Sequence, residues 1–188
     1  MPTDTGTMRS PPTFATMRAP IPDSHEVLIA TRGLPGVEAL IACLDARVTT
    51  RILDPDADPL AAIVAALADP ELGSLHLVGH GAPGSITITP GKAIDATAVR
   101  HLYPATSPRV EVNLWSSFTG AERRGRHFVQ TLAEAALVRV LASDGVVGGP
   151  ERGASWDLPI AARPRGLAPF MRPGRDALRL PGIASGNG

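Results

Sequence analysis

Short apolar runs of β-strand composition, "EVLIA", "VTTRILD", "SLHLVGH", "RVEVNLWSS" and "VRVLAS", recur along the chain, and each interval between successive runs contains a stretch with helical character. Parallel strands can be joined only by a crossover of a dozen or more residues, usually a helix. The alternation therefore predicts an α/β fold, a single domain whose mostly parallel sheet carries helices on both faces. In the first interval Val37, Leu40, Ile41 and Leu44 fall at helical spacing. In the second, Asp58 is placed to cap a helix that has Pro59 in its first turn. "SITITPGKAI" alternates like an exposed hairpin, Asp95 caps the short helix "DATAVRHLY", and "ERRGRHFVQTLAEAAL" supplies the helix after the fourth strand. "SWDLPI" is a candidate sixth strand at an edge. The folded part is expected over 25–160, between a Pro/Thr/Ser-rich leader at 1–24 and a Pro/Gly-rich tail at 161–188. Leu167, Phe170, Met171 and Leu178 would let that tail drape over the domain.

At 188 residues and 44% hydrophobic, the chain can bury a core without staples. Eighteen basic and eighteen acidic side chains cancel, which removes any global field that would attract nucleic acid or an anionic membrane. No apolar run approaches the ~20 residues of a membrane span. The N-terminal segment lacks the apolar centre of a secretory signal, so the expected compartment is the cytoplasm. Cys43 is the single cysteine, which excludes an intrachain disulfide or a cysteine-rich zinc site. His25 and His101 have no partners at metal-ligand spacing, and neither a metal nor a cofactor is expected.

The stretch "LHLVGHGAPGSITI" spells G-x-G-x-x-G through Gly79, Gly81 and Gly84, directly after a strand. A dinucleotide loop needs a helix to open at the third glycine, so that its N–H groups face the pyrophosphate. Here Gly84 opens an alternating β pattern instead. The loop reads better as a strand end that presents His80, because side chains at the carboxyl ends of strands gather at one edge of an open α/β sheet. The fourth strand ends in Trp115, Ser116 and Ser117, 37 positions beyond that histidine (117 minus 80). If the third and fourth strands are neighbours, His80 and Ser117 share that edge. His76 falls on the strand face shared with Val78 and is expected to support rather than react. His127 and the cluster Glu122–Arg126 read as a solvated helix start.

Taken together, "HEVLIATRG", "RILDPDADPLAAIVAALADP", "LHLVGHGAPGSITI", "LWSSFTGAERRGRHFVQTLAEAA" and "LASDGVVGGPERGASWDL" resemble the DUF4347 domain, over about 25–158. That family is similar to the caspase-like and gingipain-like cysteine peptidases of clan CD. The resemblance implies a caspase-like three-layer sandwich and an endopeptidase that forms an acyl-enzyme on protein or peptide substrates. It places the catalytic histidine on His80 and the following glycine on Gly81. The nucleophilic cysteine, which comes after an aromatic and a small residue, falls on Ser117, after Trp115 and Ser116. The backbone N–H groups of Gly81 and Ser117 would hold the oxyanion, and Trp115, Ser116 and Asp144 would contact substrate; from its place Trp115 also reads as packing beneath the nucleophile loop, and Trp156 as anchoring the last strand.

Serine is a departure. A cysteine is partly thiolate near its ordinary pKa of about 8.5, whereas a hydroxyl needs a base in direct contact. The serine form is therefore expected to bind but scarcely turn over, whether it is a natural pseudo-enzyme or a deliberate Cys→Ser exchange. Cys43, among Leu40, Ile41 and Leu44, reads as a small buried hydrophobe and not as a replacement nucleophile. Relatives that cut after basic residues carry a carboxylate in the primary pocket. Asp144 is the candidate here, with a simple turn role as its alternative, and Asp54 reads as a turn or capping residue. A basic preference would make Arg9, Arg18, Arg172, Arg175 and Arg179 candidate self-processing sites in the terminal segments. The competing reading is a non-catalytic module that holds a peptide in the same groove. A serine hydrolase fits poorly, because Trp115 or Ser116 stands where a G-x-S-x-G elbow needs glycine.

Overall fold

Strand β1 (His25–Thr31) shows how the apolar runs are used. Val27 and Ile29 enter one buried cluster and Leu28 and Ala30 another, so the strand is covered on both faces by the two-residue period of its side chains. The computed structural model describes residues 25–165 apart from 43, 108 and 149–152. The leader, the tail beyond 165 with its four apolar residues, Cys43 and the five terminal arginines lie outside the described residues.

A six-stranded sheet is built from β1, β2 (Val48–Leu53), β3 (Leu72–Val78), β7 (Glu111–Trp115), β8 (Arg139–Ala142) and β9 (Ile160–Ala162). Its order is β2-β1-β3-β7-β8-β9, and all pairs are parallel except β8–β9. β4 (His80–Ala82), β5 (Ser85–Thr87) and β6 (Ala93–Asp95) form a separate antiparallel sheet. The helices are α1 (Val37–Ala42), α2 (Pro59–Leu67), α3 (Ala96–Val99) and α4 (Glu122–Ala136). The architecture is thus α/β with a mostly parallel sheet, as the alternation predicts.

One face buries Leu75, Leu77, Val112 and Leu114 against Ile63 and Leu67 of α2 and Phe128, Val129 and Leu132 of α4. The other face packs Leu28, Val78 and Trp115 against α1 and the partly buried Trp156 and Leu158. Local capping agrees with the sequence. Asp58 Oδ1 accepts the Leu60 N–H at 2.9 Å with Pro59 at the helix start, and Asp95 accepts from Thr97 and Ala98. Among the described residues, no helix is long and apolar enough to cross a membrane.

Two expectations need correction. The hairpin is not an exposed flap, because Ile86, Ile88 and Ile94 turn inward and are 1%, 1% and 4% exposed. The sixth strand is at an edge, as expected, but it begins only at Ile160, the last residue of "SWDLPI", continues to Ala162, and runs antiparallel on β8. Ordered structure therefore passes the expected end at 160. Ala162 and Pro164 are buried, and Gln130 Nε2 donates to the Arg163 carbonyl at 2.9 Å.

Candidate active site at the carboxyl edge of the sheet

Pairing of β3 with β7 sets the site. The register places Val78 opposite Trp115, and Gly79 N–H donates to the Trp115 carbonyl at 3.5 Å. The chain leaves β3 after Val78 and β7 after Trp115, so His80, which opens β4, and Ser117 both follow the same edge of the sheet. Gly81 then passes directly against the second segment. A Cβ there would strike the Ser117 carbonyl oxygen and lie 2.5 Å from Thr119 Oγ1, so glycine is required by close approach. The β4–β5 hairpin turns at Pro83–Gly84, where Gly84 takes a φ of +89°. Strand β5 begins immediately after Gly84, which removes the geometry of a phosphate-binding helix start.

Thr119 fastens the hairpin to the turn that carries Ser117. Its carbonyl accepts the Gly84 N–H at 3.2 Å, and its hydroxyl bonds the Ser85 carbonyl at 3.3 Å. The same hydroxyl pairs with Ser116 Oγ at 2.5 Å in a buried setting. Phe118 holds a left-handed φ of +62°, a conformation that costs a non-glycine residue ~1–2 kcal/mol. The loop after β8 holds this strained turn from the other side. Phe118 N–H donates to the Gly145 carbonyl at 2.9 Å and Gly120 N–H to the Ser143 carbonyl at 2.8 Å. Ser117 Oγ accepts the Val147 N–H at 3.1 Å. Ser117 is half-buried and His80 exposed. Glu122 and Leu137 also take positive φ, but the Phe118 turn is the one beside Ser117, and it is held by bonds from two directions, as strained turns at functional sites are.

Trp115 and Ser116 turn inward, and Trp115 packs beneath the turn, as its sequence reading has it. They are 6% and 1% exposed, because Trp115 continues the inward face of β7 and Ser116 is engaged with Thr119. They support the turn from behind. Trp115 Nε1–H donates to His76 Nδ1 at 3.0 Å, and its ring centroid lies 6.2 Å from that of Trp156. An indole N–H can only donate, so Nδ1 of His76 is the acceptor and its proton is on Nε2, 2.9 Å from Glu26 Oε2. The hydrogen bond from His76 holds the Glu26 carboxyl below its ordinary range, against the opposing effect of desolvation.

Asp144 is exposed on the same edge, next to Gly145 and close in sequence to Val146, which is 43% exposed. Phe118, 42% exposed, adds a second apolar surface beside Ser117. Asp54 is exposed, 4.0 Å from Arg32 Nε, and its carbonyl accepts the Ala57 N–H in a turn. His25 pairs with Asp69 at 3.2 Å, well away from this edge at the start of β1. Arg123, Arg126 and His127 are exposed on α4, and the Arg124 stem lies across Gly84.

Sequence reasoning did not find Val147, whose contribution is a backbone N–H with no side-chain signature. It also missed Thr119, for which the Ser-x-x-Thr spacing in "SSFTG" was an available signal.

Residues 27–167 match the model of the family described as "Domain of unknown function (DUF4347)", which covers most of the chain, and the protein belongs to that family. No curated protein matches it.

Proposed function

We propose that this DUF4347 domain has the site of a caspase-like cysteine endopeptidase with serine at the nucleophile position, and that it binds peptide while turning it over little or not at all. The observation that carries this reading is the packing of Gly81 on the Ser117 carbonyl, which brings the His80 strand and the position-117 turn to one edge. The Ser117 hydroxyl is engaged by a backbone N–H, and His80, which follows β3 at the same edge of the sheet, is exposed. This suits a site in which the imidazole serves the leaving group and does not deprotonate the nucleophile. In caspase-like sites the imidazole stands back from the nucleophile, which a thiolate tolerates and a serine hydroxyl does not.

With cysteine at 117 the reaction proceeds in two steps. The thiolate attacks the scissile carbonyl carbon and forms a C–S bond, while the N–H groups of Gly81 and residue 117 stabilise the oxyanion. The C–N bond then breaks as His80 donates a proton to the departing amine. Water hydrolyses the thioester and restores the thiol. In the substrate, Asp144 would read a basic side chain, with Phe118 and Val146 as apolar walls. No step uses a cofactor. The second reading, a peptide-holding module without chemistry, draws on the serine itself and on the engagement of its oxygen by Val147.

Ser117→Cys incubated with a broad peptide library separates the two. The peptidase reading expects cleavage that Ser117→Ala and the double variant Ser117→Cys/His80→Ala both lack. Equal inertness of all three would overturn it.

A further inference from the structure

Besides the side chain at 117, the imidazole and the two N–H groups for the oxyanion, a further backbone donor touches the reacting atom itself. Val147 N–H points at Ser117 Oγ from 3.1 Å, and the segment that carries it is fixed at several points. On one side the Gly145 carbonyl accepts from Phe118 at 2.9 Å. On the other, Val147 bridges to Ser155, with Ser155 N–H on the Val146 carbonyl at 3.0 Å and Gly148 N–H on the Ser155 carbonyl at 3.2 Å. The Val147 side chain packs into the cluster around Trp115 and Trp156. A donor anchored on both sides and behind is pre-aimed, and it does not need to reorganise when charge appears in front of it.

We infer that the Val147 amide is a catalytic group that activates the nucleophile by donating its hydrogen bond to the thiolate at position 117. This rests on the proposal that position 117 is the nucleophile site. A hydrogen bond to the charged form favours ionisation, because the N–H dipole replaces part of the hydration that the anion loses at a half-buried position. Ionisation moves the thiol proton to solvent and leaves the sulfur lone pairs facing the donor. Serine accepts the same bond but does not ionise near neutrality. The donor therefore only orients its hydroxyl, consistent with a form that binds without reacting.

Other ionisable groups on the elements packed against position 117 are His80 on β4, Asp144 after β8, Asp157 beyond the Ser155 bridge, and Glu122, Arg123 and Arg124 at the start of α4. Their fields act whichever residue occupies position 147. Comparing variants that keep the 147 N–H with one that removes it, beside a direct readout of the amide itself, isolates its contribution.

The test is the thiol pKa of Ser117→Cys, measured by thiolate absorbance and by the pH dependence of alkylation, in three backgrounds. Valine at 147 and Val147→Ala both keep the N–H, and Val147→Pro removes it. The first two should titrate about one pK unit or more below the ordinary cysteine value of ~8.5. Val147→Pro should titrate at least about one unit above them, and its alkylation rate at neutral pH should fall roughly tenfold. Because proline also constrains the loop, the Val147 amide resonance of ¹⁵N-labelled Ser117→Cys gives an independent readout. It should shift with the same midpoint as the thiol. Equal thiol pKa values with and without the N–H, or a Val147 amide that ignores the titration, would overturn the inference. If the thiol is activated in this way but no peptide is cleaved, the peptidase reading fails while the role of this donor stands.

Discussion

Replacing Gly81 with alanine tests the contact that joins the two halves of the site. The added methyl would lie 2.5 Å from Thr119 Oγ1 and closer still to the Ser117 carbonyl oxygen, where ordinary contact begins near 3.4 Å. Relief of the hydroxyl contact alone requires the hairpin to retreat by about 0.9 Å (3.4 minus 2.5). That movement stretches the Gly84–Thr119 and Thr119–Ser85 bonds, at 3.2 and 3.3 Å. Over-packing of this kind costs ~1–3 kcal/mol, and alanine offsets ~0.5–1 kcal/mol by narrowing the unfolded ensemble. The expected net loss is about 1–2 kcal/mol, a fall in Tm of roughly 2–8 °C for a domain of this size. The assay is urea and thermal unfolding of wild type and Gly81→Ala. Gly145→Ala serves as the control, because a Cβ there meets nothing within 4 Å and its φ is not positive. If Gly81→Ala is as stable as wild type while Gly145→Ala behaves as expected, the His80 strand does not lie against the Ser117 turn.

Three further outcomes rest on individual residues. Leu137 ends α4 at a φ of +54°, so Leu137→Gly should exceed Leu137→Ala in stability by about 0.5–1 kcal/mol in urea unfolding, the left-handed strain of ~1–2 kcal/mol less the ~0.5–1 kcal/mol that glycine adds to the unfolded ensemble. Thr119→Val strands the buried Ser116 hydroxyl and should cost ~1–3 kcal/mol, whereas Thr119→Ser keeps the bond and recovers most of the loss. Glu26 is depressed below its ordinary pKa of 4.5, so its contribution to stability is present above that pH and is lost as pH falls through the lower folded value. Glu26→Gln should therefore show a shallower loss of stability than wild type below about pH 4.5, read from urea midpoints across pH.

The parts of the fold set by local rules were legible in the sequence. Asp58 and Asp95 announce their helices because a cap is a contact between near neighbours. The adjacency of β3 and β7 is what strands separated by crossovers lead one to expect, and with it Gly81, next to His80, comes against the turn that carries Ser117. Features that depend on coverage by distant segments were not legible. The alternation of "SITIT" gives two faces but does not say that the Ile86 face is roofed, and so the hairpin reads as exposed. β9 is hidden in Pro- and Gly-rich sequence because an antiparallel edge strand of three residues has no period to detect. Trp115 reads both as packing beneath the turn and, with Ser116, as lining the edge, and only the first concerns what the structure describes. Their closeness in sequence to Ser117 suggests a shared surface, but the strand period and the turn send their side chains inward.

The peptidase proposal requires a division of labour between positions 117 and 80. The direct measurement is intact-mass detection of the acyl-enzyme for Ser117→Cys and Ser117→Cys/His80→Ala, each given one acyl sequence as an amide and as an activated ester. An ester leaving group departs without a proton, so both variants should acylate from the ester. From the amide, only the variant that retains His80 should acylate. Equal acylation of the two variants by the amide, or no acylation of either by the ester, would show that the two positions do not share the work in this way.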